Sequence, residues 1–209
     1  MSRIFRLCEN WYEADGDKIF KKKQIKIETG LTVLVGCNGA GKTTMLDQIE
    51  EKLKDKNIPV LYHSNFRNGE RKLKDKASFY GDFHTVARLM SGSEGENIIV
   101  VLEKISKDIG TIVRQNPDAK ELWLLFDAID SGLSVDNIVD FKEQLVEFII
   151  EDNIGKDIYF MISANEYEFA RGEKCFDVIN GEYISFSDYE DYRAFILQTK
   201  EEKLKRYEK

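Results

Sequence analysis

The chain has 209 residues, of which 42% are hydrophobic and 33% charged, with a formal net charge of −7. That size and apolar content suit one α/β domain with a real core, and the acidic balance excludes nucleic-acid binding through bulk charge alone. No apolar run approaches the roughly 20 residues of a membrane span. Residues 1–6 lack a signal-peptide core. The odd set Cys8, Cys37 and Cys175 points to reduced thiols of a cytoplasmic protein, and with His63 and His84 as the two histidines a histidine-based metal site is not expected.

Residues 4–13 and 19–27 read as a hairpin or meander turning at Asp15-Gly16, giving an N-terminal β layer over 1–28. Residues 31–35, Leu-Thr-Val-Leu-Val, are a short β-branched run that predicts a buried strand. Directly after it come Gly36, Cys37, Asn38, Gly39, Ala40, Gly41, Lys42 and Thr43, a complete G-x-x-x-x-G-K-[ST] loop. A helix follows over 43–53, with Met45, Leu46, Ile49 and Leu53 at helical spacing. A strand, a glycine turn and a helix N-terminus make an anion site, because backbone N–H groups converge and the helix dipole favours negative charge. Glycine lets the backbone approach phosphate without a Cβ in the way. The loop therefore predicts binding of a nucleoside triphosphate, with Lys42 at the β- and γ-phosphates, Thr43 on Mg²⁺, and Thr44 beside it.

Further along, a strand is predicted at 59–63, a polar loop at 65–76 and a short helix at 83–90. Ile98, Val101, Leu102, Ile105, Ile109, Ile112 and Val113 form one apolar stripe, which predicts a helix over 96–114. The apolar strand 122–126 ends in Asp127, the Walker B pattern. It predicts that Asp127 lies beside the phosphate loop and holds Mg²⁺ through water. A helix over 137–150, a strand over 158–162, a hairpin at Asn180-Gly181 and a charged helix over 187–209 complete the chain. There is no repeat and no low-complexity linker, so 1–209 reads as a single domain. Two basic clusters stand out: Lys18, Lys21, Lys22, Lys23 and Lys26, then Arg67, Arg71, Lys72, Lys74 and Lys76. They are either solvated faces or a docking surface for an acidic partner or nucleic acid.

In this order the motifs resemble the ABC-type ATPases, over about residues 19–186. Asn38 and the Gly39-x-Gly41 spacing are typical of that family. Ser93-Glu94-Gly95-Glu96 matches its S-x-G-E signature at a helix start, with Ser91-Gly92 as a competing register. Asp130-Ser131-Gly132-Leu133-Ser134 resembles its D-loop, and residues 175–184 its terminal hairpin. The resemblance implies an α/β P-loop NTPase with a mostly parallel central sheet, flanking helices and an N-terminal antiparallel β layer. It also implies ATP and Mg²⁺ as cofactors. The implied assembly is a dimer closed around two nucleotides, in which Ser93, Gly95 and Glu96 of one chain cap the γ-phosphate of the other. Adenine would stack on an aromatic of the β layer, and Trp11, Tyr12 and Phe20 are the candidates.

The short span 65–91, Ser64-Asn65 in place of a glutamine, and the missing arginine- and alanine-rich run after the signature separate the layout from transporter domains. It looks more like the compact heads of the SMC, RecF and OLD types, although no coiled-coil heptads occur. The implied setting is DNA metabolism, phage replication or defence, with DNA as a candidate partner. Two positions depart from the family. Ala128 follows the Walker B acid where a glutamate usually orients water, and Asn165 stands where a histidine usually meets the γ-phosphate. The catalytic candidates are Lys42, Asp127, Asp130 and Asn165; Asp130 and Glu166 are either substitute bases or plain loop and cap residues. The expectation is a head that binds ATP·Mg²⁺, dimerises and hydrolyses slowly if at all. Alternatives are a nucleotide-dependent assembly switch, an ATP-binding transporter subunit, or a small-molecule kinase, for which Arg67 and Arg71 give no clear lid pattern.

Overall fold

The chain opens on two strands, β1 (Ser2–Arg6) and β2 (Gln24–Glu28), paired antiparallel from Ser2 opposite Glu28 to Arg6 opposite Gln24. The structure, a computed structural model, describes residues 1–8, 19–64, 75, 79, 94–130, 133–153 and 155–207. Alternation sets the faces of this small sheet: Phe5, Ile25 and Ile27 are buried, while Gln24 and Lys26 are exposed. The expected second strand began at residue 19. The structure starts it at Gln24, because the Lys21 N–H pairs instead with the Ile179 carbonyl at 3.0 Å and Phe20 turns into the core. The turn expected at Asp15-Gly16, the loop at 65–76 and the helix at 83–90 lie outside the described residues, Asp75 apart.

The main sheet has six strands: β3 (Gly30–Val35), β4 (Val60–Ser64), β5 (Glu121–Asp127), β6 (Asp157–Ser163), β7 (Cys175–Asp177) and β8 (Glu182–Ile184). Their order is β4-β5-β6-β3-β7-β8, all parallel except the β7–β8 hairpin. A strand buried on both faces needs a near-continuous apolar run; β5 and β6 carry one, and β3 is interrupted at Thr32, whose hydroxyl pairs with that of Tyr183 at 3.0 Å. Their alternate residues feed two cores. Val33, Leu122, Leu124, Phe126, Phe160 and Ile162 face one layer. Leu34, Trp123, Leu125, Tyr159 and Met161 face the other, with the small sheet. Burying a side chain of this size contributes about 1.5–3 kcal/mol, so the two layers fix which way every strand faces.

Helices supply the crossovers. α1 (Lys42–Lys54) brings Met45, Leu46, Ile49 and Leu53 to the small-sheet side. α2 (Glu94–Gln115) brings Ile105 and Ile109 to the opposite side. The helix expected at 137–150 is a continuous run from 135 to 152 in three parts: α3 (Val135–Asp140), a π-helical stretch Phe141–Glu147, and α4 (Phe148–Asp152). The wider turn has a visible reason. Ile138, Phe141, Val146 and Ile149 are all buried, and the step of five from Phe141 to Val146 fits an i→i+5 turn. A short α5 (Tyr167–Ala170) follows β6, and α6 (Tyr189–Tyr207) follows the hairpin. No helix among the described residues is long and apolar enough to cross a membrane.

One feature of the order was not foreseen. β6 lies between β3 and β5, so the strand leading to the glycine loop and the strand ending in Asp127 are not neighbours. The register nonetheless brings their ends level: Ser163 of β6 sits opposite Asp127 on one side and Leu34 on the other.

Candidate functional site

The site lies at the C-terminal ends of the parallel strands, where β3 runs through residues 36–41 into α1. Gly41, the residue before the helix, has φ of 103°, and a Cβ there would meet Ile19 and Phe20. Gly39 has φ of 77°, and its Cβ would run into the Lys203 ammonium. Both positions need glycine for conformation, and Gly41, against Ile19 and Phe20, for space as well. The loop closes on itself through the Ala40 N–H to the Cys37 carbonyl at 3.0 Å. Thr44 is buried in the first turn of α1.

Lys42 points back over this loop. Its Nζ donates to the Gly36 carbonyl at 2.7 Å and to Asn165 Oδ1 at 3.0 Å. Burial lowers the pKa of this ammonium, while Cys37, Asp130 and Asp127 act in the opposite direction. The Thr43 hydroxyl donates to the Asp127 carboxylate, at 3.1 Å from Oδ1 and 3.0 Å from Oδ2. Ser163 Oγ donates to the same carboxylate at 2.5 Å. Lys42 and Thr43 thus meet Asp127 at one end of the sheet although two separate segments, α1 and β5, carry them. A loop of amides, an ammonium and a hydroxyl–carboxylate pair together can hold a polyanion and a hard cation.

Ala128 has φ of 52°, the left-handed region, which a β-carbon makes costly. Its N–H donates to both the carbonyl and the hydroxyl of Ser163, at 3.1 and 3.0 Å. Asp130 is buried, and its Oδ2 accepts the N–H groups of Asn165 and of Glu166, the latter at 2.9 Å. One oxygen of the nominated substitute base is thus committed to holding the turn after β6. Asn165 is held three ways: by Asp130 at its N–H, by Lys42 at its side chain, and at its carbonyl by the Tyr192 hydroxyl at 2.7 Å.

The remaining candidates divide by position. Gly95 and Glu96 fall in the first turn of α2, and Ser93 lies outside the described residues. Trp11 and Tyr12 also lie outside them. Phe20 is 1% exposed, packed in the core beneath Gly41, so it supports the loop and presents no open face to a base. Lys21 and Lys22 of the first basic cluster pair with Glu202 and Glu182 at 2.9 and 3.2 Å. Arg67, Arg71, Lys72, Lys74 and Lys76 are outside the described residues.

Sequence reasoning missed four residues that touch the site: Ser163, Tyr192, Thr199 and Lys203. Ser163 had a readable signal, being the polar residue that ends an apolar strand as Asp127 does. Thr199 and Lys203 are one helical turn apart, but nothing local says which surface that face covers.

The chain shares its fold with the crystal structure of a nucleotide-free ATP-binding cassette from an ABC transporter. The TM-score is 0.53 at 15% identity, over 96% of this chain and 99% of that one. No protein-family model and no curated protein matches the chain. At this identity the likeness is one of fold: a mixed α/β cassette of ABC-ATPase type, with a mostly parallel central sheet and a small antiparallel sheet.

Proposed function

We propose that this chain binds ATP·Mg²⁺ as an ABC-type ATPase head, closes into a dimer around two nucleotides, and turns over slowly. The observation that carries the reading is the convergence of Lys42, Thr43 and Asp127 at the mouth of the glycine loop. The loop amides and Lys42 would hold the phosphates. The Thr43 hydroxyl and Asp127 carboxylate are hard oxygen donors within hydrogen-bond distance of each other, a donor set that fits Mg²⁺. A bound Mg²⁺ would neutralise phosphate charge. Ser163, hydrogen-bonded to Asp127, would orient that carboxylate.

The slow turnover rests on Ala128, which has no group to accept a proton or hold water. Asn165 can donate a hydrogen bond but carries no charge, and Asp130 acts here by holding Asn165 in place. Without a base the ATP-bound state persists, and with it a two-fold dimer in which the segment around Ser93, Gly95 and Glu96 meets the partner's nucleotide. A second reading, a nucleotide-dependent assembly switch, draws on the same alanine. A role with DNA rests on the sequence layout described above.

Sedimentation with ATP·Mg²⁺, ADP and no nucleotide tests the dimer; a monomer in all three conditions would count heavily against it. Calorimetric titration with ATP, with and without EDTA, tests the cation, and Thr43→Val should remove most of the Mg²⁺ dependence. Phosphate release with and without DNA separates an ATPase coupled to DNA from a switch.

A further inference from the structure

The C-terminal helix reaches the glycine loop with more than apolar cover. Ile196, Thr199 and Lys203 lie along one face of α6. Ile196 packs beside Cys37, Ala40 and Ile179. The Thr199 hydroxyl, 2% exposed, accepts the Cys37 N–H at 3.1 Å and donates to the Ile196 carbonyl at 2.9 Å. The Lys203 ammonium donates to the Asn38 carbonyl at 3.0 Å and fills the space a Cβ on Gly39 would need. Nearer its start, the same helix gives the Tyr192 hydroxyl to the Asn165 carbonyl at 2.7 Å, and the Asn165 side chain accepts from Lys42. One helix therefore grips the loop backbone on one side and the turn after β6 on the other.

We propose that α6 is a positioning element of the phosphate site. Thr199 and Lys203 hold the backbone of residues 37–39 in the shape that receives phosphate, so docking of the helix and binding of nucleotide are linked. The inference rests on the reading that this loop binds ATP. A glycine-rich loop loses much conformational freedom when ordered, and binding is tighter when that ordering precedes the ligand. A helix that merely covered an apolar patch would need Ile196 alone. It would not need a buried hydroxyl on a loop N–H, nor an ammonium on the next carbonyl. The second of these bonds is charge-assisted and adds positive charge beside an anion site. Linkage is reciprocal: whatever the helix adds to nucleotide affinity, the nucleotide adds to helix docking.

The test uses the full chain and two readouts. Calorimetric titration with ATP·Mg²⁺ compares the parent with Thr199→Val and Lys203→Met, which keep volume and stem, and with Thr199→Ser and Lys203→Arg, which keep the hydrogen bonds. Each of the first pair should weaken binding by about 3- to 10-fold, the effect of one lost hydrogen bond, and the second pair should recover most of it. In parallel, amide hydrogen exchange across residues 192–203 should slow when the parent binds ATP, and in Lys42→Ala the same slowing should need about 10- to 150-fold more ATP. Tight binding by folded Thr199→Val and Lys203→Met, or losses that the conservative variants do not restore, would overturn the proposal. So would exchange in α6 that ignores ATP in a parent that binds it. A parent that binds no ATP·Mg²⁺ at all overturns the reading of the site, and this inference falls with it.

Discussion

The two sides of the candidate site are built to different standards of completeness. On the side formed by β3, the glycine loop and α1, the charged and hydroxyl side chains of Lys42 and Thr43 both have partners. Lys42 is pinned by three acceptors, Thr43 meets Asp127, and the loop backbone is held from outside by α6. On the side formed by the ends of β5 and β6, the positions proposed above for hydrolysis carry Ala128 and Asn165, and one oxygen of the nearby Asp130 is occupied with backbone. Asp130 ties down a turn. On the proposed reading, the contrast separates two tasks that meet at one end of the sheet. Holding a polyanion needs many fixed dipoles and charges, each of modest weight. Activating a water needs one base at one place, and a single substitution removes it.

Restoring the base should have the largest effect. General-base catalysis contributes about 10²–10⁴-fold, so Ala128→Glu should raise single-turnover hydrolysis toward that range. The substitution adds no new backbone cost, since a residue with a Cβ already occupies φ of 52° there. Asn165→His added to it should help more than additively, because both groups act on one transition state. A parent already turning over at about 1 s⁻¹ or more would erase the distinction and make Asp130, then Glu166, the base to find.

Next in size is a pH effect in the strand beside Asp127. His63 is buried on β4 opposite Phe126, and its Nε2 has no hydrogen-bond partner among the described residues. Burial pushes its imidazole down to about 4 from 6.5, with Asp108 acting weakly the other way. The unfolded chain therefore binds the proton more readily. The contribution is whole above about 6.5 and is lost as pH falls toward 4, up to ~3 kcal/mol in all. Urea unfolding across pH 7.5 to 4.5 should show this slope, and His63→Phe should flatten it. Unfolding that is pH-independent in the parent over that range would show that the imidazole is not held neutral.

Lys42→Ala probes the complete side of the site. Losing hydrogen bonds from a charged group should cost roughly 1.5–3 kcal/mol of ATP affinity, about 10- to 150-fold. Titration should show it with the fold unchanged, and unaltered affinity would remove the case for the loop. The smallest effect should come from Ala128→Gly, which relieves the left-handed backbone. It should add about 1 kcal/mol or less of stability and leave ATP affinity alone, keeping stability and binding as separate readings.

How much of this was legible beforehand follows the range of the interactions. The glycine loop, Asp127, the strands at 122–126 and 158–162 and the helix at 96–114 are local patterns, and each emerged within two residues of its expected bounds. The order of strands was not local. Nothing near residue 160 says that β6 will lie between β3 and β5. The π-helical stretch was hidden for a related reason: residues 137–150 still show a helical apolar pattern, and only the step from Phe141 to Val146 departs from it. Gln48 shows the same limit at the level of one side chain. It looks like an ordinary polar helix residue, yet it is fully buried, and its amide clasps the backbone of Cys8 through both N–H and C=O, at 2.6 and 3.0 Å.

The stacking of Trp123 on Tyr159 has a use outside folding. The rings lie 3.9 Å apart and 4° from parallel, Phe5 closes the edge at 5.2 Å, and the indole is 0% exposed. An indole so enclosed is shielded from iodide and acrylamide, and its emission will be insensitive to events at the protein surface. The chain has two tryptophans, and the other is Trp11. Any emission that a collisional quencher removes, or that ATP changes while inorganic triphosphate does not, can therefore be credited to Trp11. The buried indole thus serves as an internal reference against which any response of Trp11 is read.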